Sequence, residues 1–231
     1  MSEEPVIPIH LGFILDGNRR WARAHSIPGF DGHLAGYNAL KEVLDGCFEQ
    51  GVQYVSIYAF SAENWRRDKG EVSGLMKLAV QAVAKDLKTL VKKNIRVRFL
   101  GRREGLAGNV LAAVEKAEQA TRSSAGGTLA VCFNYGGEQE IVDATRKCIT
   151  DGLSADGITP EAIAQRLYAP DIPPVDMVVR TSGEQRLSNF MLWRTGYSEL
   201  LFIKKFWPDM TKTDVTAIIE EYNRRFRRFG G

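Results

Sequence analysis

The chain predicts an α/β fold, a single domain with a central, mainly parallel six-stranded sheet surrounded by helices. Three observations carry that prediction. Six short segments have the β-branched, uninterrupted apolar character of strands buried on both faces. Helical patterns lie between most of them, and strand alternating with helix gives a mainly parallel sheet. With 231 residues and 44% apolar content there is material for one substantial core and no demand for a second domain.

In chain order, strands are expected over residues 9–15, 54–60, 95–100, 129–133, 177–180 and 200–203. A helix should open just after Asp16-Gly17-Asn18. Ala39, Leu40, Val43, Leu44, Cys47 and Phe48 form one helical stripe before the second strand. Val72, Leu75, Met76, Ala79, Val83, Leu87 and Leu90 form another after it. Further helices are expected over 108–121, 138–150, 160–167 and 212–226. Turn signals at 123–127 and 151–157 and the proline-bounded loop 170–174 punctuate the chain, none long enough to link domains. Ligands of such a sheet belong outside the carboxyl ends of its strands.

Thirty-one basic against 28 acidic side chains give a net charge of +3, with no basic stripe that calls for nucleic acid. Any anionic partner must therefore be met locally. Cys47, Cys132 and Cys148 sit in apolar stretches without CxxC spacing and read as reduced core residues of a cytoplasmic protein. The start, MSEEPVIPIH, is acidic and broken by proline where a signal peptide is basic and then apolar, and no apolar run approaches ~18 residues. A chain neither exported nor membrane-spanning is expected.

Three clusters follow strands. In the first, Asp16-Gly17-Asn18-Arg19-Arg20-Trp21, Gly17 lets the backbone approach a ligand, the start of the helix favours an anion and two arginines add charge. A carboxylate such as Asp16 tolerates a phosphate beside it when a hard cation lies between them. Taken alone, the segment is equally a plain turn with Asp16 as cap. The second cluster, Tyr58 to Arg67, gathers hydroxyl, carboxylate, amide, indole and guanidinium groups, each of which singly reads as a turn former or buried anchor. In the third, Arg180 and Arg186 stand with the hydroxyls of Thr181, Ser182 and Ser188, two guanidinium forks suited to a diphosphate. A solvated charge run is the plainer alternative, but Phe190, Leu192 and Trp193 follow directly. Together the clusters favour an enzyme with phosphorylated substrates.

These segments resemble the cis-prenyltransferase family, which includes undecaprenyl diphosphate synthase. The resemblance runs from His10 through DGNRRWA, Gly32-His33, YAFSAENWRR, GEVSGLM, NYGG, RTSGEQRLSNFMLW, YSEL and FWPD to the terminal RRFGG. It implies a parallel sheet ringed by helices that enclose an apolar tunnel, in a homodimer that uses Mg2+. It implies condensation of isopentenyl diphosphate with an allylic diphosphate such as farnesyl or geranylgeranyl diphosphate, giving a Z-configured polyprenyl diphosphate. Asp16 then matches the metal-holding aspartate, and Gly17, Asn18, Arg19, Arg20 and His33 the allylic diphosphate cradle, with Trp21 at its edge. Ser61, Ala62, Glu63, Trp65 and Arg67 match substrate-binding positions of the loop that closes on the substrates, and Asn64 the proton acceptor. Arg180, Arg186, Leu187 and Ser188 match the isopentenyl diphosphate site, and Glu199 a second Mg2+ ligand. Arg228 and Gly230 match an Arg-x-Gly tail that reaches the neighbouring subunit's site.

Three positions depart from the family pattern. Gly29 stands where arginine is usual, with Arg23 or His25 as replacements; Arg19 stands where bacterial members commonly have glycine; and Arg194 stands where glutamine is common. Long-chain eukaryotic relatives carry extra residues in the stretch that corresponds to Met76–Gly101, so a medium chain is expected, delivered to a membrane that the enzyme meets at most peripherally. The all-helical trans-prenyltransferases are excluded by the lack of DDxxD, and a nucleotide-binding α/β protein by the lack of GxGxxG or a Walker lysine. The remaining alternative is a non-catalytic subunit of a hetero-oligomeric prenyltransferase, against which Asp16 and both arginine clusters argue.

Overall fold

His10–Ile14 forms β1 in the interior of the sheet because all five of its residues are buried. Side chains alternate across a strand. Leu11 and Phe13 therefore face one layer, with Val43 and Cys47, while Ile14 faces the other, with Val178, Phe190 and Met191. Gly12 is closely packed, since a Cβ there would lie 3.0 Å from Phe190 and 3.1 Å from Val175. The computed structural model describes residues 6–225.

The elements run β1, α1 (Asn18–Ala24), α2 (Gly29–Glu49), β2 (Tyr54–Ser61), α3 (Lys69–Lys92), β3 (Ile95–Leu100), α4 (Gly108–Thr121) and β4 (Gly127–Tyr135). There follow α5 (Gly137–Thr150), α6 (Pro160–Ala164), β5 (Met177–Arg180), β6 (Glu199–Phe202) and α7 (Lys212–Arg224). The strands lie in the order β3-β4-β2-β1-β5-β6, and every pair is parallel. All six expected strands form; β4 is longer at both ends, β2 runs one residue further, and β6 begins at Glu199.

The helix expected over 160–167 ends at Ala164. Its last turn tightens to i→i−3 bonds, with the Arg166 and Leu167 N–H groups donating to Ile163 and Ala164 carbonyls. The next residues are held elsewhere: the Tyr168 N–H donates to Glu140 at 3.0 Å, and Arg194 donates to the carbonyls of Tyr168 and Ala169. Glu140 and Arg194 are themselves a buried ion pair at 2.8 Å, 0% and 3% exposed, with the Tyr135 hydroxyl donating to Glu140 at 2.5 Å. Such a pair is stable only because both groups are fully hydrogen-bonded. All three cysteines are buried and unpaired. Among the described residues no helix is long and apolar enough to cross a membrane.

Candidate active site

The carboxyl edge of the sheet brings the first and third clusters together because β1 and β5 are neighbours and Ile14 lies level with Arg180. Two residues beyond β1, Asp16 Oδ2 accepts from Arg180 at 2.9 Å and Oδ1 from Arg20 at 3.3 Å. The Asp16 carbonyl accepts from the Thr181 hydroxyl at 2.6 Å and the Trp207 N–H at 3.1 Å, which fixes the turn. Gly17 has φ 106°, and a Cβ there would lie 2.8 Å from Phe206 and 3.0 Å from Ser182. Only glycine fits both demands.

Arg180 is 5% exposed and also donates to the Ser188 hydroxyl at 2.8 Å and the Arg186 carbonyl at 2.5 Å. The loop that supplies these groups holds four non-glycine residues, Ser182, Ser188, Asn189 and Met191, at positive φ. Backbone strain of that kind persists where the surroundings impose it, commonly at ligand sites. Arg186 is exposed and pairs with Glu184, which also receives Arg20 at 3.0 Å. Among the described residues, the buried side-chain polar atoms without a hydrogen-bond partner are Asn18 Oδ1, Arg180 Nε and Ser182 Oγ. All three lie at this edge, where orphaned polar atoms mark a place for a polar ligand.

The second cluster runs from the end of β2 through a 3-10 turn, Ala62–Arg66, to Arg67. Ser61 caps that turn reciprocally with Asn64, whose Oδ1 accepts from the Ser61 N–H at 3.2 Å. The Asn64 oxygen thus accepts one hydrogen bond as a cap, with its second lone pair still available. Glu63 accepts from Asn189 at 3.1 Å, which ties this loop to the third cluster. Burial raises the Glu63 carboxyl and the Asn189 amide lowers it, with a net shift below the usual value. Trp65 donates from Nε1 to Asn134 at 2.8 Å and sets its ring edge-on to Phe60. Ala62 is exposed and Leu187 packs against the core under the loop.

Sequence reasoning missed Glu71, which joins the cradle to the loop. Its carboxylate meets Arg67 at 2.9 Å, His33 Nε2 at 3.3 Å and Arg19 at 3.6 Å. The i,i+4 spacing of Arg67 and Glu71 was the available signal. Burial lowers the His33 imidazole, an effect that Glu71 opposes only in part. Arg19, Gly29, Phe30, His33 and Glu71 line one hollow, so Arg19 occupies the region of the missing arginine. His25 instead stacks on Trp21, whose indole donates to Asp209 at 2.6 Å.

From Asn18 and His33 a cavity of about 710 Å³ runs between the sheet and helices α2 and α3. Leu40, Leu44, Leu75, Ala79, Val83, Leu90, Leu129 and Val131 are among its walls. Val72 and Met76, on the same helical stripe as Leu75 and Ala79, pack with Phe60 and Val110.

Glu199 does not join Asp16 within one chain. It lies level with Met177 and, through it, with Leu11. That is about 16 Å back along the strands from Asp16 at ~3.3 Å per residue, and its carboxylate is taken by Arg225 at 2.9 Å. Spacing could not reveal this, because Glu199 opens β6 and does not end it. Arg228 and Gly230 lie outside the described residues.

Fold and site together define an α/β protein that gathers guanidinium, amide and hydroxyl groups for a phosphorylated ligand beside an apolar cavity. Residues 14–230 match the prenyltransferase family model described as "Putative undecaprenyl diphosphate synthase", and the chain belongs to this isoprenyl transferase family. It is 45% identical over 228 residues to an isoprenyl transferase of Thermotoga maritima, covering 97% of both chains. It is 44% identical to one of Agrobacterium fabrum, covering 97% of this chain and 92% of that one. Among solved structures it resembles lavandulyl diphosphate synthase from Lavandula x intermedia in complex with dimethylallyl diphosphate. That match has a TM-score of 0.94 and 31% identity, over 99% of this chain and 100% of that one.

Proposed function

We propose that the chain is a catalytic cis-prenyltransferase that condenses isopentenyl diphosphate with an allylic diphosphate, such as farnesyl or geranylgeranyl diphosphate, into a Z-configured polyprenyl diphosphate of medium length. The observation that carries this is the pair of unpartnered buried atoms Arg180 Nε and Ser182 Oγ beside Asp16, two residues from Asn18, which borders the apolar cavity. Anion binding by Arg180 and Ser182 beside the cavity that Asn18 lines supports the reading of a diphosphate with a prenyl tail. The dimethylallyl diphosphate of the Lavandula relative is a ligand of the same chemistry.

Asp16 fits a Mg2+ ion, because one carboxylate with diphosphate oxygens suffices for this metal, whereas Glu199 does not complete the same site in one chain. Held there, the ion would neutralise charge that grows on the leaving diphosphate. Arg20 and the Gly17–Asn18 backbone orient the allylic diphosphate, while Arg180, Ser188 and Arg186 hold isopentenyl diphosphate. The allylic C–O bond breaks and its electron pair leaves with diphosphate. The isopentenyl double bond attacks the allylic carbon, forming the new C–C bond, and a proton is lost as the next double bond forms. We assign that proton to the departing diphosphate, with Asn64 orienting the loop, since its oxygen already serves as a cap.

The paired Asp16 and Arg180 favour this reading over a non-catalytic subunit of a hetero-oligomer. We place the enzyme in the cytoplasm, peripheral to the membrane that takes its product. We further propose a homodimer in which Arg228 and Gly230 serve the neighbouring subunit's isopentenyl diphosphate. Deleting residues 227–231 should then raise KM for isopentenyl diphosphate and lower kcat while the dimer survives; a truncated dimer with full activity refutes the tail's role. A steady-state assay with isopentenyl and farnesyl diphosphates, with mass analysis of products, tests the whole reading. Absence of any elongation refutes it.

A further inference from the structure

Asn189 has no part in the reaction described above, yet three segments of the chain meet on it. Its main-chain carbonyl accepts from the Gly137 N–H and its side-chain Oδ1 from the Glu138 N–H, both at 2.8 Å. These are two of the N–H groups that the start of a helix leaves free. Gly136, the residue before α5, has no side chain to cap them. The Asn189 Nδ2 donates to Glu63 at 3.1 Å, on the turn that follows β2. Two glycines permit this approach. A Cβ on Gly137 would lie 3.0 Å from the Asn189 carbonyl oxygen, and one on Gly136 would lie 3.0 Å from Asn189 Nδ2 and 3.9 Å from Ala62.

On either side of Asn189 the loop is committed. Phe190 and Met191 are fully buried with Val178 in the core, and Ser188 accepts from the buried Arg180 at 2.8 Å. Ser188, Asn189 and Met191 have φ of 50°, 68° and 44°, a left-handed region that asparagine tolerates better than serine or methionine. Conformations of this kind relax unless their surroundings hold them. The cap on α5 is the hold next to Ser188. Without it the segment relaxes and Ser188 draws away from Arg180.

Resting on the prenyltransferase reading above, we propose that Asn189 is a positioning residue for isopentenyl diphosphate. By capping α5 it keeps Ser188 on Arg180. Through Glu63 it joins the turn Ala62–Arg66 to the same loop, so the second and third clusters respond to the ligand together. It acts through Ser188 and the turn, not by contact with the reacting atoms.

Steady-state kinetics with farnesyl and isopentenyl diphosphates, paired with the rate of tryptic cleavage after Arg66, test this. In the unaltered protein isopentenyl diphosphate should slow the cut. Asn189→Ala loses the cap and strains the backbone. It should raise KM for isopentenyl diphosphate about fivefold, the equivalent of ~1 kcal/mol for a lost cap. KM for farnesyl diphosphate should stay within about twofold, a split that general loss of stability does not give. Asn189→Asp keeps the cap and the left-handed turn but sets a carboxylate against Glu63. Its KM for isopentenyl diphosphate should stay within about twofold, while Arg66 is cut faster and isopentenyl diphosphate no longer slows the cut. Adding Glu63→Gln returns a donor and an acceptor to that contact with their roles exchanged, and should slow the cut again. The Asn189→Asp proteins decide the case if the alanine variant does not fold. The proposal is overturned by a near-normal KM in a folded Asn189→Ala protein, by equal rises for both substrates, or by cleavage of Asn189→Asp that Glu63→Gln does not slow. Those results leave the prenyltransferase reading standing. No elongation by the unaltered protein overturns both.

Discussion

Replacing Asp16 by alanine should have opposite effects on diphosphate binding with and without Mg2+. In the structure this carboxylate is 2.9 Å from the buried Arg180 guanidinium and 3.3 Å from that of Arg20. It therefore competes with a diphosphate for the cations that would bind it. Two unit charges about 5 Å apart repel by about 3 kcal/mol at an effective dielectric of ~20. Asp16 is 27% exposed, and solvent screening reduces that to about 1–2 kcal/mol. Calorimetry in chelator should then show inorganic diphosphate binding Asp16→Ala roughly five- to thirtyfold more tightly than the unaltered protein. With Mg2+ the order should reverse, and turnover with isopentenyl and farnesyl diphosphates should fall by several orders of magnitude. The alanine variant leaves Arg180 without its carboxylate. Asp16→Asn, which keeps the shape and loses the charge, serves as the stability control and should behave alike. The reasoning is refuted if the unaltered protein binds metal-free diphosphate as tightly as either variant, or if either turns over at a near-normal rate.

Arg194→Gln leaves Glu140 charged and 0% exposed, and should cost about 3–5 kcal/mol in urea melts. Adding Glu140→Gln should recover much of that loss; strictly additive single changes would contradict the coupling. Ala79→Leu fills part of the cavity wall and should shorten the products by about one unit; an unchanged ladder from a stable variant would remove Ala79 from the path of the chain. His10 is 0% exposed, its Nδ1–H donating to the Pro173 carbonyl at 2.9 Å and its Nε2 accepting from Ser56 at 2.7 Å. Burial pushes its imidazole down to about 4. The unfolded chain takes up the proton first, so stability is full above about pH 6.5 and falls by about 3 kcal/mol as the pH drops to about 4. Urea midpoints between pH 7 and 4.5 should fall more steeply for the unaltered protein than for His10→Gln, and equal slopes would rule this out.

Strand positions were legible because strands buried on both faces need long apolar runs, as in Leu11 to Ile14 and Met177 to Val179. The meeting of the first and third clusters at one sheet edge was legible because each follows a strand, and β1 beside β5 brings Asp16 to Arg180. Contacts between elements far apart in sequence were not. Tyr37 with Asp86 and Glu71 with His33 depend on how two helices turn toward one another, which one helix's periodicity does not encode. The distance of Glu199 from Asp16 within one chain was not legible, because it depends on which end of β6 Glu199 occupies. That Asn64 serves as a turn former was legible from its residue type, though the reciprocal cap with Ser61 was not. The early end of α6 follows from Glu140 and Arg194, residues distant from it in sequence.

The sheet order also bears on how the nascent chain matures. Strands β1 to β4 all lie within the first 135 residues and are mutually adjacent in the order β3-β4-β2-β1. The free side of β1 is covered only when Met177–Arg180 has been synthesised. A nascent chain that paired β1 to β4 before then would carry a four-stranded sheet whose open edge is the apolar run Leu11-Gly12-Phe13-Ile14. An edge of that kind invites pairing with another chain. Since β5 also delivers Arg180, the step that protects the edge is the same step that forms the Asp16–Arg180 pair. Fragments ending before residue 177 should therefore be found with chaperones or in aggregates, and active enzyme should emerge only after β5 docks.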